Sequence, residues 1–270
     1  MPEIERLVKV DWSRTKSIFI VTFLMLNIFL TYQLTEKLTA GDLKLLTQGT
    51  IHDTLAEHDI VLAFTDPEQI RTDSPITGAL RAFTEEDTAE LWNGQHIEIQ
   101  NDTVIYSVLD APYQLPEQNI EAGIDFFLDN YVLNGNEYQL AIVDYEKGRI
   151  GLFQTYNGNA VEYAEGRYPL LLDLTEDMQI EAYHQFYMDM TQHGREQEML
   201  TPLRAIEALF EEQLIPVNTV IEEVEPVYYG LLELNGDFQI FGPMWKVHVN
   251  DKHYYVNAIN GAIQPTNEVE

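Results

Sequence analysis

Residues 18–34 read IFIVTFLMLNIFLTYQL, and with Ser17 and Thr35 they make nineteen consecutive uncharged positions between Lys16 and Glu36. A helix rises about 1.5 Å per residue, so this run matches the roughly 30 Å hydrocarbon core of a bilayer. A helix buried in a globular core rarely stays apolar on every side over such a length. A cleaved export signal wants small residues after its apolar run, whereas Thr31-Tyr32-Gln33-Leu34-Thr35-Glu36 stands here. The expectation is an uncleaved transmembrane helix over 17–35.

The flanks orient it. Arg6, Lys9, Arg14 and Lys16 precede the run, and only Lys37 and Lys44 follow within ten residues. Positive flanks stay inside, so 1–16 is expected as a cytoplasmic arm and 36–270 as an extracytoplasmic region of a single-pass cell-membrane protein. Trp12 and Tyr32 would then lie at the inner and outer interfaces. Within the run, Asn27 stands near the centre with Thr31 one turn later. An amide in hydrocarbon has no water to bond with and turns toward another helix, so Asn27 and Thr31 are the candidate partner-binding residues.

The region after the run holds 11 basic and 42 acidic residues, a formal charge of −31. Such a surface does not bind nucleic acid or anionic lipid through charge. The acids are spread along the whole region, which favours solvation of an outside surface over recognition of one basic partner. With no cysteine, thiol catalysis, thiolate metal sites, iron–sulfur clusters and a lipoprotein anchor are excluded, and the composition suits a Gram-positive exported protein.

Leu43, Leu46, Ile51 and Leu55 suggest a stalk and short helix broken at Gly49, leading to a strand over 60–64. Thr84 caps a short helix reaching Leu91 and Trp92. Alternation at His96, Ile97, Glu98 and Ile99, resuming at Val104 after Asn101-Asp102, predicts a hairpin. Ile120, Ile124, Phe127, Leu128 and Tyr131 form one helical face. Residues 138–145 and 149–156 pair around Glu146-Lys147-Gly148, and 168–174 and 180–190 read as two further strands. Thr201-Pro202 opens a helix with Leu203, Ile206, Phe210 and Leu214 inward. A strand over 227–234 precedes a last hairpin, 245–249 with 254–258. The fold class is therefore α+β, with helices packed on antiparallel sheets, in two lobes, 36–160 and 161–270. The boundary falls in the Gly-, Asn- and acid-rich stretch 157–166.

Chemistry is sparse in this sequence. Ser74 and Ser107 are the only serines beyond the apolar run, and neither lies in a G-x-S-x-G or S-x-x-K motif. The seven histidines form no H-E-x-x-H pair, and there is no calcium loop, P-loop or G-x-G-x-x-G turn. Adjacent acids such as Glu85 with Glu86, Glu211 with Glu212, or Glu222 with Glu223 read as solvated. No catalytic, metal-binding or cofactor-binding residue is assigned, and no cofactor is expected. Aromatics cluster late in the chain, among them Tyr183, Phe186, Tyr187, Tyr228, Tyr229, Phe238, Phe241, Trp245, Tyr254 and Tyr255. They are expected mostly in the core, with room for an exposed recognition patch.

Asp11-Trp12-Ser13-Arg14-Thr15-Lys16-Ser17-Ile18-Phe19-Ile20, running into Leu26-Asn27-Ile28-Phe29-Leu30, resembles the start of the YycI (WalI) family. Ala182-Tyr183-His184-Gln185-Phe186-Tyr187, Ala205-Ile206, Gly242-Pro243-Met244-Trp245-Lys246-Val247 and Tyr254-Tyr255-Val256-Asn257-Ala258 are similar to its C-terminal half. The ending is also similar to PepSY-type domains, and the whole suggests a YycH/PepSY-like ectodomain. The resemblance implies a non-enzymatic accessory regulator of the cell-wall two-component system, associating with a YycH-like protein and with the sensor histidine kinase (WalK, or YycG). Family members begin with Met before Asp-Trp where Val10 stands here, so translation is expected to start at position 10. Two other classes remain open from the residues alone. One is a tethered wall enzyme; the other is a PepSY-like binder or inhibitor of a protease, with its patch near Trp245.

Overall fold

A computed structural model describes residues 12–42, 44–64, 71–89, 91, 94–116, 118–163, 166–233, 238–250 and 252–264, with the side chains of 12–15, 33–50 and 231–233 left out. The expected interface position of Trp12, the arm before it, the helix end at Trp92 and the turn residue Asp251 lie outside what is described. The chain forms two compact units, 1–59 and 60–270.

The first unit holds α1 (Trp12–Asp42) and α2 (Lys44–Glu57). The described side chains of α1 run from Lys16 to Tyr32 and all are exposed, with large apolar groups such as Phe19, Leu24 and Phe29 on every side. Among the described residues no helix is long and apolar enough to cross a membrane. The expected break at Gly49 does not occur, because α2 runs through it. A single glycine costs a helix only about 1 kcal/mol relative to alanine. Ile51 and Leu55, one turn apart, are buried.

In the second unit the elements follow in order: β1 (Val61–Leu62), β2 (Thr72–Asp73), β3 (Ile76–Leu80), α3 (Glu85–Thr88), β4 (Gln95–Gln100), β5 (Val104–Gln114), α4 (Ile120–Tyr131), β6 (Tyr138–Asp144), β7 (Arg149–Tyr156), β8 (Asn159–Glu162), β9 (Leu170–Leu174), β10 (Gln179–Gln185), β11 (Met188–Gln192), β12 (Gln197–Glu198), α5 (Pro202–Glu211), β13 (Val220–Ile221), β14 (Val224–Glu233), β15 (Phe238–Val249), β16 (Lys252–Asn257) and β17 (Ile263–Gln264). Thirteen of these strands join one largely antiparallel sheet. It branches at β7. One edge of β7 carries β6; the other carries β9 beside Arg149, Ile150, Gly151 and Leu152, then β8 beside Gln154, Thr155 and Tyr156. From β9 the sheet continues through β10 and β5 to β4, and from β8 through β14 and β15 to β3 and β11. Strands from both sides of residue 160 thus interleave.

Local sequence accounts for most elements. Asn119 caps α4 by accepting from the Ala122 N–H (3.1 Å), and Ile124, Phe127 and Leu128 bury against Ile105, Ile150, Leu152, Leu170 and Leu172. Phe127 stacks on Tyr131 at 4.7 Å and meets Tyr183 edge-on. Thr201 caps α5, and Leu203, Ile206 and Leu209 are its buried face; Phe210, expected there, is half-buried. Asn101 and Asp102, both at positive φ, make the tight turn between β4 and β5. Thr84 and Asp87 bond reciprocally at the start of α3, which ends at Thr88 rather than at the expected Leu91–Trp92.

The single strand expected over 180–190 is in fact two, β10 and β11, which lie in different branches of the sheet. The Gln154 carboxamide explains the break. Its Nε2 donates to the Met188 carbonyl (2.9 Å) and its Oε1 accepts from the Met188 N–H (3.2 Å), so a buried side chain on β7 replaces a strand partner at the crossing. Arg81 N–H donates to the Tyr187 carbonyl and Phe186 N–H to the Pro169 carbonyl, both at 2.9 Å, completing the segment. Gln154→Leu, which leaves both Met188 groups unpaired, is expected to cost about 2–5 kcal/mol and to lower the thermal midpoint by roughly 5–15 °C in a calorimetric melt.

Candidate functional site

Asn27 and Thr31 are placed one turn apart on α1, both exposed. Asn27 Nδ2 donates to the Phe23 carbonyl (2.8 Å) and Thr31 Oγ1 to the Asn27 carbonyl (2.8 Å); Thr22 Oγ1 does the same to Ile18 (2.9 Å). A carboxamide has four hydrogen-bonding positions and this bond uses one of them. Asn27 therefore carries polarity on the outside of an apolar helix.

The late aromatics divide as the core requires. Tyr183, Tyr187, Tyr228, Phe241 and Trp245 are buried, and Phe238 is exposed. The alternation Tyr183-x-Gln185-x-Tyr187 has a structural meaning: every second residue points to one side, toward the segment joining α4 to β6. Tyr183 OH donates to the Tyr131 carbonyl (2.7 Å), Gln185 Nε2 to the Leu133 carbonyl (2.6 Å) and Tyr187 OH to Glu137 Oε2 (2.5 Å). These residues hold the fold together rather than form a surface patch.

A different group of side chains does gather on a surface. Lys246 and His248 alternate on β15 with buried Trp245, Val247 and Val249, so they emerge on the opposite face of the sheet. Hairpin register sets Tyr255 of β16 beside Lys246 and His253 beside His248, whose rings lie 4.7 Å apart. Glu225 of β14 pairs with Lys246 on its other side. Into this face β8 delivers Glu162, a buried carboxylate that accepts from Lys246 Nζ (2.8 Å) and Tyr255 OH (2.6 Å). Tyr229 stacks on Tyr255 at 4.3 Å, and Ala160, Val227 and Met244 form the apolar floor beside them.

The result is a recess of about 240 Å³, with Gln139, Leu140 and Phe153 from the β6–β7 hairpin as one wall and Glu223, Glu225, His248 and His253 around the rest. Its charges are unevenly matched, three carboxylates against one ammonium and two imidazoles. Partial desolvation and then the neighbouring Glu223 raise the Glu225 carboxyl above its ordinary range. Desolvation, Lys246 and His248 lower the His253 imidazole. Burial, followed by the Glu162 charge, pushes the Tyr255 phenol far up, so it stays a donor. Among the described residues no group of three His, Asp or Glu side chains is arranged to hold a metal ion. Chemically, the arrangement can offer mixed polar and aromatic contacts to a complementary, net-basic group.

The sequence reading did not single this site out. Glu162 lies in the stretch taken as a lobe boundary, and its partners are 84 and 93 residues away. Only the last hairpin carried a signal, because its register sets Lys246, His248, His253 and Tyr255 on one face.

The YycI protein family matches the chain over residues 43–259. The chain belongs to the YycI family. YycI proteins are regulatory accessory proteins. Two solved structures show partial likeness to this YycI chain. One is an uncharacterized protein from Eubacterium rectale, at 9% identity and a TM-score of 0.43, covering 72% of this chain and 86% of that one. The other is YycH from Bacillus subtilis, at 12% identity and a TM-score of 0.36, covering 71% of this chain and 51% of that one. This chain thus spans about half the length of the YycH structure. Comparison with curated proteins gives no match.

Two outcomes test the electrostatics of the recess. Lys246→Met leaves Glu162 buried without its cation and is expected to cost about 3–5 kcal/mol in denaturant unfolding, while Lys246→Met with Glu162→Gln recovers much of the loss. Because the folded state holds the Glu225 carboxyl raised, its contribution to stability is present in acid and is lost as pH rises through the folded value. Glu225→Gln should therefore raise the thermal midpoint at neutral pH, and the gain should shrink as pH falls and vanish only below the ordinary glutamate value of about 4.3.

Proposed function

We propose that this YycI protein is a membrane-anchored, non-enzymatic accessory regulator of a cell-wall sensor histidine kinase, acting together with a YycH-like protein. Membership of a regulatory accessory family is the observation that carries the reading. The apolar run 17–35 supports an anchor. α1 is helical from Trp12 to Asp42, past both ends of that run, and its described residues expose apolar side chains in every direction. The basic residues before the run put the N-terminus in the cytoplasm and residues 36–270 outside.

Two contacts then divide the work. In the bilayer, Asn27 and Thr31 give α1 a polar side that can bond to a neighbouring helix. Such bonds contribute about 0.6–2 kcal/mol. Outside, the acidic recess around Glu162 selects which protein comes near, by charge and by the Tyr229–Tyr255 stack. A preference of about 1–3 kcal/mol for one of two kinase states changes its output roughly 5- to 150-fold, without any chemistry by the regulator.

Purification of the full-length protein from its native membranes in mild detergent, followed by identification of bound proteins, tests this. The sensor kinase and a YycH-like protein are expected to co-purify, and Asn27→Leu should reduce the kinase recovered by about 3- to 30-fold. Recovery of neither protein, under conditions that preserve other membrane complexes, would overturn the reading.

A further inference from the structure

We infer that a cavity bounded by β2, β12 and the ends of β7, β11 and β14 binds a free amino acid or short peptide through its ammonium and carboxylate groups together. The cavity measures about 350 Å³ and is lined by Arg71, Asp73, Ser74, Glu196 and Tyr228, with Asn157 from the β7–β8 turn. That volume is at the small end of ligand pockets, which run from about 300 to 1,000 Å³.

The lining is prepared for a cation by Asp73 and Glu196. Asp73 is fixed by three bonds: Tyr228 OH donates toward both carboxylate oxygens, at 2.7 and 2.9 Å, and the Ser74 N–H donates to Oδ1 at 2.8 Å. Tyr228 is buried, and burial followed by the Asp73 charge keeps its phenol protonated and donating. Glu196 is held against the same wall by Thr72 Oγ1 (2.9 Å), across the β2–β12 pair. Two carboxylates held in fixed orientations make a site for an ammonium group, since charge-assisted bonds to preset acceptors are the strong ones. Among the described residues no third carboxylate or imidazole joins them in a metal-binding arrangement.

Ser74 supplies the independent sign that a ligand belongs here. The residue is completely buried, yet its Oγ has no hydrogen-bond partner. A buried hydroxyl left unpaired is unfavourable, and a ligand amide or ammonium in this cavity would satisfy it. Arg71, exposed at the rim, adds a guanidinium, whose fork matches a carboxylate. Two carboxylates and a guanidinium around one cavity, within a space of one or two residues, select a zwitterion.

This site stands apart from the Glu162 recess and does not depend on the regulator reading. Titration calorimetry on the full-length protein in detergent micelles, with the dipeptide L-Ala-L-Ala as probe, tests it. Saturable binding is expected, and both N-acetyl-Ala-Ala, which lacks the ammonium, and Ala-Ala amide, which lacks the carboxylate, should bind at least about tenfold more weakly. Glu196→Gln, an exposed position whose change leaves the fold intact, should weaken the dipeptide about tenfold, and Ser74→Ala about fivefold. Absence of saturation at millimolar dipeptide, equal binding of either blocked form, or unchanged binding in both variants would overturn the inference.

Discussion

The pairing of the Gln154 carboxamide with both backbone groups of Met188 is what allows one sheet to serve two directions. Without it, the chain leaving β10 would carry unpaired peptide groups through the interior. With it, the chain crosses from one branch of the sheet to the other and starts β11 beside β3. Tyr138 reinforces the crossing from below, donating to the Phe186 carbonyl (3.2 Å) while it accepts from Gln185 Nε2 (3.0 Å). The apolar cores on the two branches therefore share a polar joint whose members are buried and tightly placed.

What the sequence made legible follows from the range of the interactions involved. α4 and α5 could be read because capping and a 3.6-residue apolar period are local. The hairpins β4–β5, β6–β7 and β15–β16 could be read because a turn and an alternation sit within about twenty residues. The division of 180–190 could not, because its cause is Gln154, more than thirty residues earlier and indistinguishable in sequence from a solvated glutamine. β8 escaped for a related reason. Its four residues lie among glycines and acids that look like a loop, yet they pair antiparallel with β7 across the Asn157-Gly158 turn and in parallel with β14 on the other side.

The same reasoning separates the two groups of candidate contact residues. Asn27 and Thr31 stand out by contrast with their apolar neighbours, a purely local property. Glu162 owes its character to Lys246 and Tyr255, and no spacing rule connects them. In a chain with 45 acidic residues, the carboxylate that matters is the one removed from water, and burial is not written in composition.

The shared edge of β7 has a mechanical meaning. Because β8 and β9 are hydrogen-bonded to successive parts of one strand, the two branches are joined by continuous backbone rather than by a flexible linker. Bending one branch must stretch or twist peptide groups belonging to the other. A partner that grips the recess near β8 thereby takes hold of the α4 branch as well. The two branches of the second unit are therefore tied to each other through the peptide backbone they share at β7.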